Sequence, residues 1–182
     1  MNYLRRGFTL IELLITISII GILASLTLAS YNGAQSKARD GVRKQDLAQV
    51  KRALELAKSD CDGNASYPTR ANYGALTTFL KQDVAANAYM NPVPVDPTPS
   101  KSYTFFQTAG VGTPCPGDTP LAARTAGSAD YTLVTTLDRV QDGDGQASWI
   151  RCAGKPYSGG TIAGTAGSYT GALVGTYYVC NN

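Results

Sequence analysis

The sequence predicts an α+β fold: a long N-terminal helix, membrane-spanning in its first half and amphipathic in its second, packed on a small antiparallel β-sheet domain. Three observations predict it. From Phe8 to Ala29 run 22 residues whose single formal charge is Glu12. At about 1.5 Å of rise per residue such a helix crosses a bilayer core of about 30 Å. No proline occurs before Pro68, so nothing in the chain breaks the helix as it leaves the apolar run. Further on, short stretches rich in Tyr, Thr, Val, Phe, Trp and Ile are separated by Gly, Pro, Ser and Asp, as strands are by turns.

The apolar run opens as Arg5-Arg6-Gly7-Phe8-Thr9-Leu10-Ile11-Glu12-Leu13-Leu14. An ionised carboxylate at membrane depth costs on the order of 2.5 kcal/mol or more, so Glu12 calls for a partner. The nearest opposite charge is the α-amino group that a cut after Gly7 would create at Phe8. Such a cut also removes Met1 to Gly7 with both arginines. An ordinary secretory signal peptide cut near Ala29 would have an apolar core of about 7 to 15 residues without a charge, and this run is longer and carries Glu12. A twin-arginine export signal fits Arg5-Arg6-Gly7-Phe8 loosely, and a plain single-span anchor fits the length. Neither gives Glu12 a role.

These residues resemble the processing signal of type IV prepilins and type II secretion pseudopilins, whose basic leader, glycine, phenylalanine, aliphatic run and embedded glutamate stand at the same offsets. The resemblance implies a pilin fold and cleavage between Gly7 and Phe8 by a membrane prepilin peptidase and methyltransferase, which methylates the new Phe8 amine. It makes Glu12 the family's glutamate at the fifth position of the mature chain. The expected division is a leader over 1–7, a transmembrane and filament-core helix over 8–30, its amphipathic continuation over 31–60, and an exported globular domain over 61–182.

From Gln35 to Ser59, Ala38, Val42, Leu47, Val50, Leu54 and Ala57 form one apolar helix face. The cluster Ser59-Asp60-Cys61-Asp62-Gly63-Asn64 signals its end. A single helix from Phe8 to Ser59 is therefore predicted, about 78 Å long. Gly21, Gly33 and Gly41 each cost about 1 kcal/mol relative to Ala in a helix interior. Close packing of helices and local melting during assembly both explain them. Many pilins of the family carry a proline near the membrane exit, where this chain has Ala29-Ser30-Tyr31.

Within Tyr73 to Asp83, Leu76, Phe79 and Leu80 lie at helical spacing and predict a short helix. Tyr89 to Pro97 is punctuated by prolines, which press extended conformation on the residues before them. The order Tyr67-Pro68-Thr69, short helix, Tyr89-Met90, proline, Asp96-Pro97 resembles the region after the long helix in pseudopilins and related pilins. Ser102 to Thr108, Tyr131 to Leu137, Ser148 to Cys152 and Thr176 to Cys180 are read as three or four antiparallel strands on the helix's apolar stripe. The Gly-Thr-Ala-rich segment from Tyr157 to Gly171 is read as an exposed loop.

Four cysteines, Cys61, Cys115, Cys152 and Cys180, fall in the part expected to be exported. An even count there favours two disulfides with three possible connectivities. The family's habit of stapling its C-terminal segment implies Cys152 with Cys180 and Cys61 with Cys115. The chain has no histidine, which removes the usual zinc site and the Ser-His-Asp or Cys-His arrangement. No glycine-rich phosphate loop follows a strand, so no enzymatic activity is expected. Asn64-Ala65-Ser66 matches a glycosylation sequon by pattern alone.

Net charge is +3, falling to +1 if Arg5 and Arg6 leave, and it is uneven: residues 32–60 carry net +3 and residues 61–182 net −1. A nucleic-acid partner is not predicted from that balance. Before processing, the leader arginines hold the N-terminus in the cytoplasm.

One ligand site is suggested, in Asp138-Arg139-Val140-Gln141-Asp142-Gly143-Asp144-Gly145. Calcium favours six to eight oxygens from a flexible loop, and the major pseudopilins of the family bind it in a C-terminal loop, which would make Asp138, Asp142 and Asp144 ligands. The EF-hand pattern fails, since the twelfth position from Asp142 is Ala153. Asp-Gly pairs equally make hairpin turns, so both readings stand. No other cofactor is expected.

The resemblance implies a structural subunit of a type IV pilus or pilus-like filament. A type II secretion pseudopilin is the alternative, and a minor pilin adhering to DNA or a surface a further one. The precursor would be stored as a single-pass inner-membrane protein with its C-terminal domain outside the cytoplasm. A platform protein and an assembly ATPase would then extract it into an extracellular or periplasmic polymer of identical and related subunits. There Glu12 would meet the Phe8 amine of the adjacent subunit.

Overall fold

The structure, a computed structural model, describes residues 7–59, 67–68, 70–81, 88–108, 127–128, 130–158, 160–165 and 169–181. The chain divides into two compact units, Met1–Ala38 and Arg39–Asn182. Helix α1 (Leu10–Ser59) contributes to both.

In the N-terminal unit α1 is long and apolar enough to cross a membrane, and none of its apolar window is buried within the chain. Leu10, Ile20 and Leu28 are 82%, 64% and 65% exposed. Its hydroxyls do not go unpaired: Thr16 Oγ1, Ser18 Oγ and Ser25 Oγ donate to the carbonyls of Leu13, Ile15 and Ile22 at 2.7 to 2.8 Å. A polar side chain can face lipid when its donor is satisfied by its own helix. The helix runs through Gly21 and Gly33 without a break, and a methyl group added at either meets nothing within 4 Å. No contact inside the chain requires these glycines.

In the second unit α1 buries a stripe, and the helix continues to Ser59 as expected. Leu47, Val50, Leu54 and Ala57 are fully buried, with Ala53 beside them. Fully burying a Leu or Val side chain contributes about 1.5 to 3 kcal/mol, enough to anchor this half of the helix. The stripe departs from expectation at its start, where Ala38 is exposed and Val42 is 46% exposed. Asp40 and Arg43 are buried instead. The true series is 40, 43, 47, 50, 54 and 57, a regular alternation of three and four, whereas Val42 to Leu47 demanded a step of five.

Strand β1 (Tyr67–Pro68) pairs with β3 (Gly127–Ser128). Helix α2 (Tyr73–Lys81) buries Leu76, Phe79 and Leu80, the residues its spacing selected. The main sheet has the order β2 (Thr104–Gln107), β4 (Tyr131–Thr136), β7 (Thr176–Cys180), all antiparallel, with Phe105 opposite Leu133 and Leu133 opposite Val179. The central strand β4 is buried on both faces. Tyr131 and Leu133 join the cluster formed with α1 and α2, and Val134 joins a second cluster around Trp149, Ile162, Tyr169 and Tyr178.

The segment from Ser148 to Cys152, expected as a strand, is helical. Helix α3 (Gly143–Arg151) is capped by Asp142, whose carboxylate accepts the Asp144 N–H at 3.0 Å. It buries Gly145, Ser148 and Trp149, with Cys152 just beyond its end, which is a helical period that β-forming residue types concealed. Gly145 is required there, because a Cβ would stand 2.3 Å from the Tyr169 hydroxyl and 2.7 Å from the Thr176 carbonyl. Cys152 is bonded to Cys180, fastening α3 to β7. The pairing of Cys61 with Cys115 lies outside the described residues, as does the Asn64 sequon. The Tyr157 to Gly171 segment is not simply exposed: β5 (Pro156–Tyr157) pairs with β6 (Gly160–Thr161), and Ile162 and Tyr169 are buried in the second cluster.

Candidate functional site

Two groups of residues carry chemistry, one in each unit. In the first, α1 begins at Leu10 behind Thr9. Thr9 donates its backbone N–H and its hydroxyl to Glu12 Oε2 at 2.9 and 2.6 Å, and Glu12 N–H donates back to Thr9 Oγ1 at 3.3 Å. This reciprocal pattern is a capping box, which satisfies backbone donors that a helix start leaves without partners. Sequence reasoning gave Glu12 only a charge to pair. The Thr-x-x-Glu spacing before an apolar run was the signal for the second role. Both side-chain contacts fall on Oε2. Phe8 is 75% exposed beside Gly7, also exposed, so the predicted cut site lies open, and Arg5 and Arg6 lie outside the described residues.

The second group surrounds Arg43, which is fully buried. Its guanidinium forks onto Asp96 at 2.9 and 3.0 Å and reaches Asp40 at 2.8 Å, Asp138 at 3.0 Å and the Thr98 hydroxyl at 2.8 Å. Burial works against its charge, but hydrogen bonding and attraction from Asp96, Asp138 and Asp40 raise its pKa above the ordinary arginine value. One side chain thus joins α1, the proline-punctuated loop and the turn after β4. Asp40 extends the joint by accepting the backbone N–H groups of Asp138 at 2.7 Å and Arg139 at 3.1 Å.

The three carboxylates singled out as metal ligands sit in this network, each on a cation. Asp138 bonds Arg39, Arg43 and Lys101, and Lys101 with Arg39 holds its carboxyl well below the usual range although burial opposes this. Asp142 bonds Lys44 at 2.8 Å and also Arg139, and burial again opposes a depression that the Lys44 hydrogen bond drives. Asp144 bonds Lys44 at 2.7 Å. The structure brings Asp142 and Asp144 together on Lys44 and sends Asp138 to Arg43. Among the described residues no group of three or more acidic, His or Cys side chains is arranged to hold a metal ion.

A groove of about 980 Å³ opens between α1 and β7, with Lys51, Arg52, Arg151 and Tyr177 among the residues along it. Lys155 on its edge is paired with Asp130 at 2.7 Å.

Comparison with known proteins places both groups in context. The model of a family described as the prokaryotic N-terminal methylation motif matches residues 3–28. The chain is 36% identical over 117 residues to a type IV major fimbrial protein FimA of Dichelobacter nodosus, covering 62% of this chain and 72% of that one. A fimbrial protein of the same organism is 41% identical over 76 residues, covering 41% of this chain and 48% of its own length. Type II secretion system core protein G of Pectobacterium carotovorum subsp. carotovorum is 34% identical over 102 residues, covering 53% and 64%. No solved structure matches.

Proposed function

Because the chain belongs to the type IV pilin family, we propose that it works as a structural subunit of a type IV pilus or pilus-like filament, built from a membrane-stored, processed precursor. The observation that carries this reading is the apolar half of α1, wholly exposed ahead of a unit that completes its own core. Such a surface needs lipid or other helices to cover it. In lipid the helix satisfies its own polar groups. In a polymer, identical helices cover one another, and Gly21, Ala24 and Ser25 let them approach closely.

Cleavage between Gly7 and Phe8 with methylation of the Phe8 amine is the processing step, and the leader arginines keep that end in the cytoplasm. Glu12 then has two uses. Oε2 caps its own helix through Thr9, and Oε1 faces the Phe8 amine of the adjacent subunit. A separate platform protein and assembly ATPase supply the extraction work. Mass spectrometry of protein from native cells tests the processing: the expected mass begins at methylated Phe8, and intact chains beginning at Met1 beside an active peptidase overturn it. The second reading, a type II secretion pseudopilin, draws on the likeness to core protein G. Recovery of the protein from sheared surface filaments supports the pilus, and its confinement to the envelope of secreting cells supports the pseudopilus.

A further inference from the structure

The loop after β4 is where resemblance to the major pseudopilins implies calcium, and each of its three carboxylates is already paired with a cation of the chain. Asp142 Oδ1 accepts from Lys44 Nζ at 2.8 Å and from the Asp144 N–H at 3.0 Å, and its Oδ2 takes Arg139. Asp138 Oδ1 takes Lys101 at 2.7 Å and Arg43 at 3.0 Å, and its Oδ2 takes Arg39. Both oxygens of Asp40 are bonded to the backbone of this loop. A calcium ion needs six to eight oxygens, and here it would have to share these carboxylates with the ammonium and guanidinium groups they already hold. Charge points the same way: Asp40, Asp96, Asp138, Asp142 and Asp144 face Arg39, Arg43, Lys44, Lys101 and Arg139, five against five. A divalent ion would leave the cluster with two positive charges in excess.

We infer that the Lys44 ammonium takes the place of a divalent cation in this loop, so that the second unit keeps its fold without calcium. Lys44 lies on α1, 98 and 100 residues before the two carboxylates it joins. It therefore does what a metal held by the loop alone could not, and ties the loop to the helix that organises the core. A tethered cation is also present whenever the chain folds, whereas bound metal stabilises only in proportion to its free concentration over its dissociation constant. The inference rests on this geometry and stands apart from the filament reading.

Thermal unfolding of the full-length chain in detergent, with millimolar calcium chloride or with EGTA, tests it together with Lys44→Met, which keeps an unbranched apolar side chain and removes the ammonium that lies between the two carboxylates and over the Tyr177 ring. The native midpoint is expected to be the same in both buffers. The Met variant is expected to melt at least about 4 °C lower in EGTA, with calcium returning most of the loss because Asp142 and Asp144 are then left to a divalent ion. A native midpoint raised by calcium overturns the inference, as does a Met variant that melts like the native chain or one whose loss calcium does not repair. Should the Met variant fold only when calcium is present during refolding, that dependence is itself the expected rescue.

Discussion

The two uses of Glu12 separate chemically, because glutamine at the same position can close a capping box but carries no charge. Losing a cap costs about 1 kcal/mol, whereas stranding the partner of a buried charge costs about 3 to 5 kcal/mol. Assembly should therefore follow the charge. Glu12→Gln and Glu12→Ala are both expected to be cut after Gly7 and to enter the membrane normally, and both to give at least about tenfold fewer filaments, since 1.4 kcal/mol is already a factor of ten. Filament yield in the sheared fraction against the membrane pool measures it, and a Gln variant with native yield would reduce Glu12 to a cap. Arg43 makes a second test at this scale. Arg43→Met leaves Asp40, Asp96 and Asp138 without their shared partner, and the expected loss is about 3 to 5 kcal/mol in urea unfolding. Arg43→Lys should recover only part of that, because an ammonium cannot reproduce the fork onto Asp96.

At the scale of elements, the sequence was legible wherever apolar runs, apolar spacing or β-forming residue types mark the buried positions. The span of α1 follows from its apolar run and the lack of a proline, the helix at Tyr73–Lys81 with its three buried residues from helical spacing, and β2, β4 and β7 from β-forming residue types between turn residues. Two misses share one cause, which is that polar or small residues hold core positions. Asp40 and Arg43 continue the buried stripe of α1, so a search restricted to apolar residues slid to Ala38 and Val42. Gly145 and Ser148 hold the buried face of α3, so Trp149 and Ile150 looked like a strand. The Asp142 cap was visible in principle, since an Asp before a run of helical length is a start signal. Cys152, at the end of α3, then closes a loop with Cys180 over a sequence separation of 28. In the chain-entropy account a loop of that length contributes about 3.5 kcal/mol. The double variant Cys152→Ser with Cys180→Ser is accordingly expected to unfold at lower urea by that amount. A chain that loses under 1 kcal/mol, on the order of an ordinary surface change, would show that packing of Trp149 against Tyr178 already fixes α3.

Among the described residues of the second unit many charges stand in paired sets, and that arrangement sets where in pH the molecule is stable. Asp130, held down by its Lys155 hydrogen bond, and Asp138 and Asp142, held down by their lysine and arginine partners against the effect of burial, all ionise below the ordinary carboxylate value. An acid whose pKa is depressed by folding binds fewer protons in the folded state than in the unfolded one. Its contribution is complete above the unfolded value of about 4 and is lost as pH falls through the folded value. Asp46 works the other way. Burial raises its pKa despite the hydrogen bond from Tyr103, so it costs stability once ionised and is relieved on protonation, which shallows the acid limb without reversing it. On the alkaline side Lys44 is raised by Asp142 and Asp144 in spite of burial, and Tyr67, Tyr103, Tyr131 and Tyr178 are raised chiefly by burial. Their contributions are complete below an unfolded value of about 10 and fade above it. The melting midpoint is therefore expected to be level between about pH 5 and 9 and to fall on both sides. Asp138→Asn should melt lower than the native chain at pH 7 and lose much of the acid slope. That slope should persist in high salt, because buried pairs are weakly screened. Melts from acid to alkaline pH on both chains decide it: an acid limb equally steep in the Asn variant would move the origin of acid sensitivity away from the cations around Asp138 and onto the carboxylates elsewhere in the chain.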